Sequence, residues 1–117
     1  YSDMPDKRKY FIVADNNGAV IGGVGVAEFE GLDNCAEIQK LYLSNAAKGK
    51  GLGKKLMLTA EEFAISTGYS RLYLETHSKL EAAIGLYEKL GFHLIDKPET
   101  TLHSTMDRFY LKELKSD

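Results

Sequence analysis

The stretch from Ala36 to Glu75 limits the fold of this 117-residue chain more than any other. Ala36-Glu-Ile-Gln-Lys-Leu-Tyr-Leu43 has the alternation of a strand. Leu52, Leu56, Ala60, Phe63 and Ala64 then recur at helical spacing, and Gly68 stands where a helix would end. Arg71-Leu-Tyr-Leu-Glu75 reads as strand again. Strand, helix and strand in succession predict two parallel strands joined by a right-handed crossover. Alternation puts Ile38, Lys40 and Tyr42 on one face of the first strand and Glu37, Gln39, Leu41 and Leu43 on the other. A bulge would upset that parity.

The rest of the chain builds around this unit. Tyr10–Ala14 and Ala19–Ala27 are β-rich runs flanking Asp15-Asn-Asn-Gly18, the pattern of a hairpin. Gly22, Gly23 and Gly25 inside the second run point to a bulge or a close backbone approach. A second amphipathic helix runs through Ala83, Ile84, Tyr87 and Leu90 with Gly91 as its stop, followed by strands at Phe92–Ile95 and Met106–Leu111. The result is one domain of mixed α/β class, a mostly antiparallel sheet with a central parallel pair and a crossover helix.

A formal net charge of −2 gives no general attraction to nucleic acid or an anionic membrane, so any positive site must be local. The apolar runs are too short to span a bilayer and no signal-peptide pattern opens the chain. The lone Cys35 cannot form an internal disulfide and reads as a small core side chain. His77, His93 and His103 lack metal-ligand spacing, so no metal is expected; His77, just past the Glu75 strand, is a candidate substrate contact. These features fit a cytoplasmic protein. The chain opens on Tyr, not Met, as a C-terminal part of something longer would.

Between the first strand and the helix lies Ser44-Asn-Ala-Ala-Lys-Gly-Lys-Gly-Leu-Gly-Lys54, a glycine- and lysine-rich loop suited to phosphate. It is not a Walker A loop, which would need Gly at 48 and a hydroxyl at 55, where the chain has Lys48 and Lys55. It is not a dinucleotide fingerprint either, because Lys54 stands where Gly49-Lys-Gly51 would need its third glycine. What fits is basic-x-x-Gly-x-Gly, as Lys48-Gly-Lys-Gly51-Leu-Gly53. Glycines there let backbone N–H groups and a helix N-terminus approach a pyrophosphate without a metal. A lysine-rich turn that merely caps the helix would share the pattern.

Leu41 through Gly53, followed by Ala83-Ile-Gly-Leu-Tyr-Glu-Lys-Leu-Gly-Phe92, closely resembles the GCN5-related N-acetyltransferase superfamily over roughly residues 10–112. The first block is similar to its acetyl-CoA motif, the second to its later Leu-Tyr-x-x-x-Gly-Phe. The resemblance implies an acyl-CoA N-acyltransferase fold and transfer of an acetyl group from acetyl-CoA to a primary amine in a ternary complex. It places Leu41, Tyr42 and Leu43 along the pantetheine arm, and Lys48, Gly49, Lys50, Gly51, Leu52, Gly53 and Lys54 around the pyrophosphate. An amine with a pKa near 10 is mostly protonated at neutral pH, so attack needs a base. Glu37, eleven residues before Lys48, matches the glutamate base of the histone-acetylating branch, with Glu75 in reserve and Tyr73 bordering the same cleft. The N–H of Leu43 is the candidate donor to the thioester oxygen. Tyr87 occupies the motif tyrosine and is the candidate acid for the departing thiolate.

Three departures stand out. Lys48 replaces the usual Arg or Gln, keeping charge but losing planar hydrogen bonding. Leu80 stands where many members carry a cofactor-contacting Asn. The usual N-terminal strand and paired helices have no room before Tyr10, which leaves a natural short form, a truncated chain or a site completed in a homodimer as readings. Glu28, Glu30 and Glu37 would favour a cationic acceptor: a small amine, a polyamine or a peptide amino group. The alternative function is a non-catalytic acyl-CoA-binding or regulatory module.

Overall fold

The alternating run and its neighbours fold as one six-stranded sheet, seen in a computed structural model that describes residues 9–14, 17–44, 51–99 and 105–114. The chain order is β1 (Lys9–Ala14), β2 (Val20–Phe29), β3 (Cys35–Leu43), α1 (Leu52–Thr67), β4 (Arg71–Thr76), α2 (Glu81–Lys89), β5 (His93–Ile95) and β6 (Arg108–Glu113). In the sheet the order is β1-β2-β3-β4-β6-β5. Every pairing is antiparallel except β3 with β4, the parallel pair that α1 bridges. The expected mixed α/β class is therefore the observed one.

Glycine ends α1 as expected: Gly68 has φ 102°, and the N–H groups of Gly68 and Tyr69 turn back onto the carbonyls of Ile65 and Ala64. Helix α2 stops before Gly91, at φ 99°. The last strand starts later than its sequence pattern, at Arg108 instead of Met106, and runs on to Glu113. Asp107 is taken up in side-chain bonds to the β4–α2 turn, leaving the strand to begin after it.

Both helices pack on one face of the sheet. Val24, Val26, Ala36, Ile38, Leu72, Leu74 and Tyr110 meet Leu56, Met57, Ala60 and Ala64 of α1 and Tyr87 of α2 in a single apolar cluster. Each fully buried large side chain there is worth about 1.5–3 kcal/mol relative to exposure. The other face carries a smaller cluster of Phe29, Cys35, Tyr73, Phe109 and Leu111, with the Phe29 and Tyr73 rings stacked at 4.0 Å. Cys35 is a core residue there, and burial pushes its thiol up to about 11, which makes it unreactive at neutral pH.

The faces of β3 differ from simple alternation. Gly23 pairs with Tyr42 but Gly25 pairs with Gln39, so two steps along β2 span three along β3. The extra residue is a bulge at Lys40–Leu41, opposite Val24, and it resets the parity. Leu41 and Leu43 consequently join Ala36 and Ile38 against the helices, while Glu37 and Gln39 remain on the Cys35 face. The expected sharing of one face by Glu37, Leu41 and Leu43 is thus corrected, as is the grouping of Tyr42 with Ile38.

Candidate active site

The parallel pairing of β3 and β4 is short. It links Cys35, Ala36 and Glu37 to Arg71, Leu72 and Tyr73, and none of the residues beyond pair. From Ile38 to Leu43 β3 stays with β2, and from Leu74 to Thr76 β4 stays with β6, so the sheet opens between them. The N–H of Ser44 donates to the Ile21 carbonyl on β2 at 2.9 Å. Successive N–H groups of a strand point to opposite sides, which turns that of Leu43 toward the gap. Next to it the Oγ of Ser44 is buried without a partner, the one such side-chain atom among the described residues. A sealed hydroxyl of this kind has a hydrogen bond to offer a ligand.

The start of α1 sits at the same end of β3. Gly51 caps it at φ 74°, a left-handed conformation that suits glycine, and a Cβ there would meet no described atom within 4 Å. A Cβ on Gly53 would press on the tips of Leu43 and Leu86 at 3.2 and 3.4 Å, so glycine permits the close contact of helix, strand and α2. The first helical bond runs from the Lys55 N–H to the Gly51 carbonyl, leaving the preceding N–H groups without helical acceptors. No acidic side chain lies in this first turn. The gap, the Ser44 hydroxyl and this helix start fit a thioester cofactor with an extended arm and a pyrophosphate. Of the residues expected around the pyrophosphate, Gly51, Leu52, Gly53 and Lys54 make up this helix start; Lys48, Gly49 and Lys50 lie outside the described residues. Of those along the arm, Leu41 and Leu43 are half-buried walls and Tyr42 is half exposed.

Glu37 is the last β3 residue in register with β4, at the edge of the gap and directly beside Tyr73. Gln39 donates to its Oε1 at 3.1 Å. Burial, and secondarily the negative charge of Glu75, raise its carboxyl above the usual range, against the pull of the Gln39 bond. Tyr73 is wholly buried, and its hydroxyl donates to Oε2 of Glu75 at 2.9 Å. The two carboxylates foreseen as base and reserve thus belong to one cluster. Gln39 was visible as a same-face neighbour of Glu37, but the sequence carried no sign that it would bond to it.

Tyr87 lies across the sheet from Glu37, in the cluster beneath the helices. Its ring packs against Phe92 and Tyr110, and burial raises its phenol above the ordinary value. No group among the described residues hydrogen-bonds its hydroxyl. Because Glu37 and Tyr87 occupy opposite faces, the gap between β3 and β4 is the place where a substrate could reach both.

Other candidates fall elsewhere. Glu28 bonds the Tyr69 hydroxyl on the helix side, and with Glu30 it lines a hollow at the β2–β3 turn, the far end of β3 from the gap. The expected acidic lining by Glu28, Glu30 and Glu37 is therefore not one surface. His77 stands at the gap end of β4, its Nδ1 accepting from the Lys79 N–H at 3.1 Å. His93 is exposed and His103 lies outside the described residues. Leu80 caps α2 without a side-chain bond, its side chain exposed, so it supplies no substitute for an asparagine contact.

Comparison with known proteins matches this geometry. The sequence pattern of the Acetyltransferase (GNAT) family matches residues 1–92. YjgM of Escherichia coli K12, an uncharacterized N-acetyltransferase, is 48% identical over 85 residues, spanning 72% of this chain and 51% of that protein. N-acetylaspartate synthetase of Danio rerio is 32% identical over 122 residues, spanning 97% of this chain and 43% of that one. The chain thus spans about half the length of these relatives, or less. Among solved structures, a phosphinothricin acetyltransferase of Sinorhizobium meliloti in complex with AcCoA aligns at TM-score 0.74 and 26% identity, over 93% of this chain and 62% of that one. With a family pattern running through the strand gap and the helix that follows it, the chain belongs to the acetyltransferase (GNAT) family.

Proposed function

We propose that this chain transfers the acetyl group of acetyl-CoA to a primary amine by direct attack in a ternary complex. The observation that carries the reading is the opening of the β3–β4 pair just past Glu37 and Tyr73, beside a glycine-capped helix start. Acetyl-CoA enters from the helix side. Its phosphates take the N–H groups at the start of α1, and its arm takes the backbone groups that β3 turns to the gap.

The acceptor amine approaches from the Glu37 side, where two carboxylates favour an ammonium ion. Glu37 removes the proton, directly or through water, and its raised carboxyl brings it closer to the basicity this needs. Nitrogen then bonds to the carbonyl carbon as the carbon–sulfur bond breaks, with the Leu43 N–H donating to the negative oxygen. The Tyr87 hydroxyl returns a proton to the sulfur. The Danio rerio relative is an N-acetylaspartate synthetase, and an amino acid therefore joins small amines, polyamines and peptides on the acceptor panel.

Thermal unfolding with acetyl-CoA, ATP or NAD, and CoA release on adding amines, test the reading. Acetyl-CoA at a hundred times its Kd should stabilise the fold by about 2.7 kcal/mol, a shift of several degrees. An equal response to ATP or NAD would refute the cofactor assignment. Stabilisation by acetyl-CoA without CoA release for any amine would leave a binding module in place of an enzyme.

A further inference from the structure

Strand β6 and the residue just before it bond to the turn that leads into α2 and to the end of α2. At the entrance, Asp107 accepts from the Ser78 N–H through Oδ1 at 2.7 Å and from the Ser78 hydroxyl through Oδ2 at 2.8 Å. Ser78 lies in the β4–α2 turn, which closes on itself when the Leu80 N–H donates to the His77 carbonyl, and Leu80 in turn accepts the first helical bond, from Ile84. At the exit, the hydroxyl of Tyr110 donates to Oε2 of Glu88 at 2.9 Å. The Asp107 N–H also bonds the Thr76 carbonyl, continuing the β4–β6 ladder into the clamp.

Asp107 is half exposed and belongs to no apolar cluster, so packing does not account for it. The two Ser78 bonds hold its carboxyl below the usual range, consistent with an ionised group at the centre of the turn. Between the two points lies Tyr87, whose ring rests on that of Tyr110 at 6.4 Å. Helix α2 has nine residues; it is seated on the core through Tyr87 with Ala83, Ile84 and Leu86, and the bonds at its two ends fix how it lies on that seat.

We infer that Asp107 and Tyr110 are positioning residues for acetyl transfer, fixing the pose of α2 so that the Tyr87 hydroxyl meets the sulfur of the thioester. The inference rests on the role of Tyr87 proposed above. Neither residue needs to touch the substrate, since a displacement of about 1 Å in a reacting group can cost up to a hundred-fold in rate.

The test is a double-mutant cycle on kcat, measured as CoA release from acetyl-CoA with n-butylamine as acceptor. Asp107→Ala should lower kcat about ten-fold and change the Kd for acetyl-CoA by less than about three-fold. In a Tyr87→Phe background the same change should cost less than about two-fold, because the group being positioned is gone. Asp107→Asn keeps one acceptor and gains a donor for the Ser78 hydroxyl, and should restore most of the rate. Tyr110→Phe, which keeps the ring packing, should behave like Asp107→Ala and serves if that variant folds poorly. Equal losses in both backgrounds, or an unchanged kcat in both single variants, would overturn the inference. Full activity of Tyr87→Phe, or no CoA release by the parent chain, would remove the reading it rests on and the inference with it.

Discussion

Replacing Glu37 with Gln isolates the proton-acceptor role, because it keeps size and loses only charge and basicity. The Gln39 amide donates to Oε1 of Glu37, and a glutamine at 37 offers a carbonyl oxygen in the same place, so the local packing should survive. A general base contributes about 10²–10⁴-fold in rate. Glu75, close enough to raise the Glu37 carboxyl, is the reserve base, and since the Tyr73 hydroxyl takes only its Oε2, it should stand in for part of the lost rate and hold the loss near the lower bound. About a hundred-fold in kcat corresponds to about 2.7 kcal/mol in the barrier. The parent chain should gain kcat/KM as pH rises through a value above the usual carboxyl range, and the variant should lose that step. Stability should move the other way. A carboxyl raised by burial favours the protonated folded state, so its stabilising contribution is complete below the unfolded-state pKa and is lost as pH rises through the folded value. Glu37→Gln should therefore unfold at a higher temperature than the parent at about pH 7, with the difference closing toward about pH 4. CoA release across pH, with thermal unfolding at both ends, checks each part. A rate loss under about three-fold would refute the base assignment. A variant less stable than the parent at neutral pH would refute the claim that ionised Glu37 is held at a cost.

Two further substitutions probe the cofactor side. Gly51→Asp should abolish acetyl-CoA binding with only a small change in Tm. Its left-handed backbone costs about 1–2 kcal/mol, while a carboxylate at a helix N-terminus returns about 0.3–1 kcal/mol, and the same charge repels phosphate. Calorimetry should show the affinity gone, and parental affinity would mean the phosphates bind elsewhere. Tyr87→Phe should slow turnover about ten-fold or more with acetyl-CoA affinity nearly unchanged, and equal turnover would reduce Tyr87 to a packing residue.

Much of the architecture was legible because it rests on local signals. The helical repeat from Leu52 to Ala64 and the stops at Gly68 and Gly91 marked both helices to within a few residues. The crossover followed from the element order alone. The faces of β3 did not follow, because a bulge depends on how one strand steps against another. The glycines at 23 and 25 hinted at an irregularity in β2, but the inserted residue is on β3, where the apolar positions change phase from 36 and 38 to 41 and 43 across the adjacent polar pair Gln39-Lys40, a shift that a reading by strict alternation passes over. For the same reason Glu28 and Glu30, acidic neighbours in sequence, could not be separated from Glu37 until the far end of β3 was known. The Asp107–Ser78 bonds join residues 29 apart that carry no shared pattern, and only the packed chain brings them together.

The bulge resolves a conflict that a regular β3 could not. The strand carries a carboxylate at Glu37 on the face proposed to meet the acceptor and an apolar wall to the helix side at Leu43, six residues later. In unbroken alternation, positions 37 and 43 share a face. A regular strand would either bury Glu37 beneath α1 among Val26 and Leu72, or turn Leu43 away from Gly22 and Leu56, where its tip now fills the space a Cβ on Gly22 would need. Burying the ion unpaired costs several kcal/mol, and withdrawing the leucine opens the core at the gap. One inserted residue avoids both. Deleting Lys40 should therefore force one of these outcomes, and the register that keeps Leu43 against the core is the cheaper at acid pH, where Glu37 can be neutral. The deleted chain should lose amine-dependent CoA release and should be more destabilised, relative to the parent, at neutral pH than at about pH 4. A deletion variant that kept its activity would show that the face of Glu37 does not matter, and with it that Glu37 is not the base.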